Sequence, residues 1–275
     1  MKINALLSTS HINDLEAWKF CHKKNLENFD ADRYIVVVPD KQAKIFIKNT
    51  SKIYECVSES DFFPEFSKSD LSLLLSPIHK KKAGWYYQQF LKLKSFDYFD
   101  SSSTILFLEG DSFLTKNFKF FEGASLLMIK STEHHQPYFT TNKNLLGFGK
   151  QVNFSFISQA LPVRVIWGKN LLRDIELKFN IKWYLAIIKS LDPSNSIAFS
   201  EYELMGNYFD FQKYDYKSSD QLFYRNGGLF FKSLLASDQK YYDLVQKNSI
   251  IAIEKADTSS LFIRLKRKLR RYIYD

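Results

Sequence analysis

Four short apolar runs punctuate the first 110 positions, and the residues between them recur at helical spacing. INALLST (Ile3 to Thr9), YIVVV (Tyr34 to Val38), IYECV (Ile53 to Val57) and TILFLE (Thr104 to Glu109) read as strands. Between them, Asn13 to Asn28 reads as a helix with Leu15, Trp18 and Leu26 on one face and Phe20 off that stripe. Pro39-Asp40 opens a short helix running through Ile47, and GWYYQQFLKL (Gly84 to Leu93) is a further helix. Strands alternating with helices predict parallel pairing in an α/β layered domain. Ligands in such sheets bind outside the carboxyl ends of the strands. The loops after Thr9, Val38, Val57 and Glu109 are therefore the first places to look for a site.

The second half is less regular. ASLLMIK (Ala124 to Lys130) reads as a strand, and Lys169 to Ser190 as two consecutive helices. Ser196 to Phe199 reads as a strand feeding the helix that begins in FSEYELMGNY (Phe199 to Tyr208). From Gln212 to Ile253 the pattern is mixed, with a turn at Asn226-Gly227-Gly228. No internal repeat and no linker rich in Pro, Gly and Ser divides the chain. The expected partition is one catalytic-type domain over 1–255 and a basic amphipathic helix over 256–275.

Composition narrows the class. The 275 residues are 45% hydrophobic and 25% charged, an ordinary globular balance that supports a sizeable core. Two cysteines, Cys21 and Cys56, give neither a zinc spacing nor a disulfide framework, and a reducing cytoplasm is the simplest compartment. MKINALLSTSHIND lacks a secretory apolar core, because polar residues begin at Ser8. No apolar run approaches the ~20 residues that span a bilayer. The net charge of +9 is concentrated in LFIRLKRKLRRYIYD, whose apolar residues recur at steps of three and four. Such a helix reads as an anchor on the inner face of the cytoplasmic membrane. Each Lys or Arg near an anionic leaflet contributes ~1 kcal/mol. A surface helix packed on the domain and a nucleic-acid face are the other readings.

Three stretches carry candidate chemistry. LFLEGDSF places Glu109 and Asp111 around Gly110 at the end of a buried strand. Paired carboxylates there suit a hard divalent ion bridging to phosphates, and Gly110 leaves room for a close backbone approach. The same triplet also serves as an ordinary polar strand exit. On the helix before it, Trp85, Gln88, Gln89 and Lys92 share one face, and Tyr86, Phe90 and Leu93 another, the core face. An aromatic, two amides and an ammonium suit a sugar or a phosphate, or simply an amphipathic surface. His134 and His135 are adjacent, so they do not chelate together. In FSEYELMGNY, Ser200 fits an N-cap with Glu203 as its capping-box partner. Glu201 is not needed for that cap, and a carboxylate fixed at a helix start is a credible general base.

Taken in order, GWYYQQFLKL, LFLEGDSF, HHQPYF and FSEYELMGNY resemble bacterial glycosyltransferase-like proteins of surface polysaccharide synthesis, of the GT-A type. The resemblance covers Gly84 to Tyr208, about half the chain. It implies a Rossmann-like nucleotide-diphospho-sugar domain with a mostly parallel central sheet, inverting transfer and dependence on Mn2+ or Mg2+. By that resemblance Asp111 and Glu109 would hold the metal, with Glu109 standing where the family usually has aspartate. Ser8, Thr9, Ser10, Trp85, Gln88, Gln89, Lys92, Glu109 and Gly110 would meet the nucleotide-sugar donor. Glu201, and after it Glu203, would act as base. His134, His135 and Gln159 would meet a saccharide or lipid-linked acceptor, although relatives are expected to carry histidine in the ISQAL segment around Gln159. The rival class is a non-catalytic, basic glycan- or nucleic-acid-binding protein on the same scaffold.

Overall fold

A computed structural model describes residues 2–230 and 235–254. The helix expected over 256–275 lies outside the described residues. The first half alternates as its hydrophobic pattern requires: β1 (Ala5–Thr9), α1 (Leu15–Asn28), β2 (Arg33–Val38), α2 (Ala43–Asn49) and β3 (Tyr54–Ser58). Three short helices follow, α3 (Glu59–Phe62), α4 (Lys68–Leu74) and α5 (Pro77–Lys80), then α6 (Ala83–Lys94) and β4 (Thr104–Leu108). The second half contains β5 (Ser112–Leu114), β6 (Phe121–Glu122), β7 (Ser125–Ile129), α7 (Gln136–Leu146) and β8 (Ala160–Arg164). Next come α8 (Val165–Phe179), α9 (Trp183–Ser190), α10 (Glu201–Phe211), β9 (Tyr216–Ser219), β10 (Phe223–Tyr224), α11 (Gln239–Lys247) and β11 (Ile250–Ala252).

The central sheet has the order β3-β2-β1-β4-β8. β1 to β4 pair in parallel, and β8 runs antiparallel to β4. This is the mostly parallel α/β sheet that the sequence predicts. Every residue of β1 and β4 is buried, because helices cover both faces of a parallel sheet. Tyr86, Phe90 and Leu93 of α6 are buried in the larger core beside Leu7 and Phe107, as the helical spacing predicts. A second sheet, β10-β11-β5, returns the chain to the exit of β4: β11 pairs antiparallel with β5, and the Ile253 amide donates to the Asp111 carbonyl at 2.8 Å.

The strand expected over Ser196 to Phe199 is not a strand. The segment is irregular because side chains, not a neighbouring strand, satisfy its backbone. The Tyr86 hydroxyl donates to the Ser196 carbonyl and accepts from the Ala198 amide, each at 3.0 Å. His135 bonds the Ile197 carbonyl at 2.7 Å, and Thr141 donates to the Ala198 carbonyl at 2.6 Å. α6 and α7 thus deliver this segment, and the start of α10, to a fixed place.

Gly206, inside α10, allows another close approach. A Cβ at that position would lie 2.1 Å from the buried Phe156 ring. Alanine normally strengthens a helix relative to glycine by ~1 kcal/mol. Here Gly206→Ala should instead lower the unfolding free energy by about 1–3 kcal/mol through overpacking, measured as a fall in urea midpoint at unchanged slope.

Candidate functional site

A cavity of about 500 Å³ opens where β4 ends. α6 contributes Trp85, Gln88, Gln89 and Lys92; the β4 exit contributes Glu109 and Asp111; the start of α10 contributes Ser200, Glu201 and Tyr202. Gln159, just before β8, also lines it. Gln159 has a left-handed backbone, φ 70°, an uncommon conformation for a side chain of this type, and its carbonyl accepts the Glu109 amide at 3.0 Å. The strained turn therefore sets the point where the β4 exit enters the cavity.

Lys92 organises one wall. Its side chain is only 3% exposed, and its ammonium donates to Glu109 and, at 2.7 Å, to Glu201. The same nitrogen lies 4.6 Å from the centre of the Tyr202 ring, a cation–π contact. Burial alone would lower the Lys92 pKa, but Glu109 and Glu201 outweigh it and hold the ammonium well above its ordinary range. Burial raises Glu201, and Lys92 opposes that rise. Gln89 fixes the same corner by accepting the Glu201 amide at 3.0 Å.

Arg225 organises the other wall. It donates to Glu133 at 2.7 Å and to Glu254 at 2.8 Å. All three residues line the cavity. Of its five carboxylates, Glu109 and Glu201 pair with Lys92, and Glu133 and Glu254 with Arg225. Asp111 has no cationic side chain against it among the described residues; its carboxylate accepts from the Ser112 hydroxyl at 3.3 Å. Burial, then the charges of Glu109, Glu254 and Asp14, push its pKa up to about 7.

A family of unknown function (DUF6492) has a sequence profile that matches residues 2–232. The chain belongs to that family. No curated protein matches it. Among solved structures, the chain is similar to the galactosyltransferase LgtC, crystallised with donor and acceptor sugar analogs. That pair shares 9% identity over 96% of this chain and 94% of the other, with a TM-score of 0.47. Mouse xyloside xylosyltransferase 1 gives 11% identity, coverage of 94% and 100%, and a TM-score of 0.42. The glycosyltransferase GlyE of Streptococcus pneumoniae TIGR4 gives 12% identity, coverage of 100% and 61%, and a TM-score of 0.41.

For this member of the family, several residues singled out in the sequence lie outside the cavity lining. Ser8, Thr9 and Ser10 are buried beneath the β4 exit. Gly110 is explained by them: a Cβ there would lie 2.5 Å from the Thr9 carbonyl oxygen and 3.0 Å from the Ser10 Cβ. The close approach at Gly110 is made by the protein's own backbone. Glu203 does not complete a capping box. The Ser200 hydroxyl accepts the Glu203 amide at 3.3 Å, but the Glu203 carboxylate bonds Ser155 and Asn207 and faces the core. His135 is committed to the Ile197 carbonyl, and His134 packs on Phe139 beside Lys150. Conversely, Glu133, Arg225 and Glu254 escape a reading by motif. The only signals for them are an acid beside the histidine pair and an acid following the apolar run Ile250 to Ile253.

The donor set suits a hard cation only in part. Glu109 already spends an oxygen on Lys92, and no group of three acidic, histidine or cysteine side chains converges among the described residues. Asp111 alone fits the habit of Mg2+ and Mn2+, which take one or two protein carboxylates and complete their shell from substrate phosphates.

Two predictions follow from these charges. Lys92→Met strands the buried Glu201 carboxylate and the half-buried Glu109 carboxylate and should cost about 3–5 kcal/mol of stability in a urea titration at pH 7. Adding Glu201→Gln should recover part of that loss; equal stability of wild type and Lys92→Met contradicts the pairing. The Asp111 pKa is raised in the folded state, so folding favours its protonated form. That contribution is complete below about pH 4 and is lost as pH rises through about 7. In chelator-containing buffer, Asp111→Asn should gain on wild type by on the order of 3 kcal/mol between pH 4 and pH 8.

Proposed function

We propose that the chain is a GT-A-like glycosyltransferase. It moves a sugar from a nucleoside-diphosphate donor, UDP being the commonest case, to a hydroxyl of a saccharide or lipid-linked saccharide in surface polysaccharide synthesis. One observation carries the reading: a single cavity at the carboxyl end of a parallel strand gathers Trp85, two amides, two paired cations and the cation-free carboxylate of Asp111. Its volume lies within the range of small-molecule sites. The ordered motifs shared with the glycosyltransferase-like family support the same reading.

Asp111 would hold Mn2+ or Mg2+, which when bound supplies Lewis acidity at the departing diphosphate. Trp85 offers an apolar face to a sugar or base, and Gln88 offers amide donors and acceptors. Glu201 Oε1 is held by Lys92 at 2.7 Å, and no other side chain among the described residues holds Oε2. That second oxygen takes the proton of the acceptor hydroxyl. The hydroxyl oxygen bonds the anomeric carbon as the bond from that carbon to the diphosphate oxygen breaks, and the configuration inverts. Lys92 keeps the Glu201 carboxylate in place before the acceptor arrives and opposes the rise in its pKa that burial imposes.

The test is thermal denaturation with nucleoside diphosphates, with and without Mn2+, followed by a screen of nucleotide sugars for hydrolysis or transfer. UDP with Mn2+ should raise Tm by several degrees, and Asp111→Asn should abolish the Mn2+-dependent part. Glu201→Gln should retain that shift while transfer falls by about 10²-fold or more. A folded Glu201→Gln protein with full transfer activity contradicts the base assignment. Activity that survives chelation contradicts the metal.

A further inference from the structure

The segment from α4 to the start of α6 turns an apolar and basic surface outward. Leu71, Leu75 and His79 anchor it: both leucines are buried in the main core, and the His79 ring bonds Ser76 at 2.8 Å and the Asp192 carbonyl at 3.0 Å. The residues between these anchors point away from the domain. Leu73 is 78% exposed, Leu74 52% and Ile78 40%. Immediately after them come Lys80, Lys81 and Lys82, all exposed, with no ion pair among the described residues. No acid stands in the first turn of α6 to offset them. Single exposed leucines are ordinary, but three large aliphatic side chains joined to three uncompensated ammoniums within ten residues are not.

We propose that this knuckle, Leu73, Leu74 and Ile78 with Lys80 to Lys82, is a docking surface for an anionic lipid bilayer. The aliphatic side chains enter the boundary between headgroups and acyl chains, and the lysines meet the lipid phosphates at its edge. The charge identifies the partner. A second copy of this chain, at +9, would bring like charge to the lysines, whereas an anionic leaflet is their complement. The knuckle is rigidly tied to the cavity, because α6 begins at Ala83 and Trp85 and Gln88 already line it. If the proposed transfer reaction holds, docking here brings the cavity to where a lipid-linked acceptor lies. The docking itself does not depend on that reaction.

The test is cosedimentation of the full chain with vesicles of phosphatidylcholine alone and with 30% phosphatidylglycerol, without nucleotide. Wild type should partition onto the anionic vesicles and release in high salt. Both Lys80→Ala/Lys81→Ala/Lys82→Ala and Leu73→Ser/Leu74→Ser/Ile78→Ser should weaken partition, the lysine variant by roughly a hundredfold. All six side chains are exposed, so the melting curves should be unchanged. The basic residues of 256–275 are present in every protein compared, so they do not account for a difference. Wild-type partition in both variants overturns the proposal. So does equal binding to neutral vesicles, or a concentration-dependent dimer that the leucine variant dissolves without any change in vesicle binding.

Discussion

The cavity depends on one buried ammonium. Lys92, on α6, has two carboxylates on its ammonium, one from the end of β4 and one from the first turn of α10. Three elements, one of them more than a hundred residues away in sequence, are thereby fixed at a single nitrogen. Taking such charges out of water costs several kcal/mol per ion, and only good geometry with further hydrogen bonds offsets it. The Tyr202 ring over the ammonium and Gln89 on the Glu201 amide supply part of that. A buried pair of this kind is weak evidence of stabilisation over an apolar core. It is better explained by what it positions: two carboxylates at a cavity wall that would otherwise repel each other.

The same economy appears in the chain leading to α10. An extended segment without a strand partner leaves amides and carbonyls to satisfy. Tyr86, His135 and Thr141 satisfy them, so His135, a candidate for the acceptor, is instead one of the fasteners of the site. Arg225 does on the opposite wall what Lys92 does on the first. With both cations committed, Asp111 is the place where the cavity lacks positive charge among the described residues.

The alternation of strand and helix, the core face of α6 and the aromatic and polar stripe opposite it were all legible in the sequence, because each rests on a local period. Trp85, Gln88, Gln89 and Lys92 share a cavity wall for the same reason they share a helical face. What was not legible depends on distant partners. The burial of Lys92 follows from Glu201, more than a hundred residues away. Ser196 to Phe199 carries a strand's composition, but its hydrogen bonds go to side chains that no local pattern reveals. Glu203 matched a capping box by spacing, and Ser155 drew its carboxylate elsewhere. Arg225 and Glu254 reach the site only because β11 pairs with β5 and the chain bridges at Asn226 and Ile253.

The most direct measurement is a crystal structure with UDP and Mn2+, with the metal located by its anomalous scattering. The account predicts a manganese peak against the Asp111 carboxylate, a diphosphate beside it within the cavity, and Lys92 still bonded to Glu109 and Glu201. A nucleotide bound away from this cavity, or a metal seated between Glu109 and Glu201 with Lys92 displaced, would contradict it.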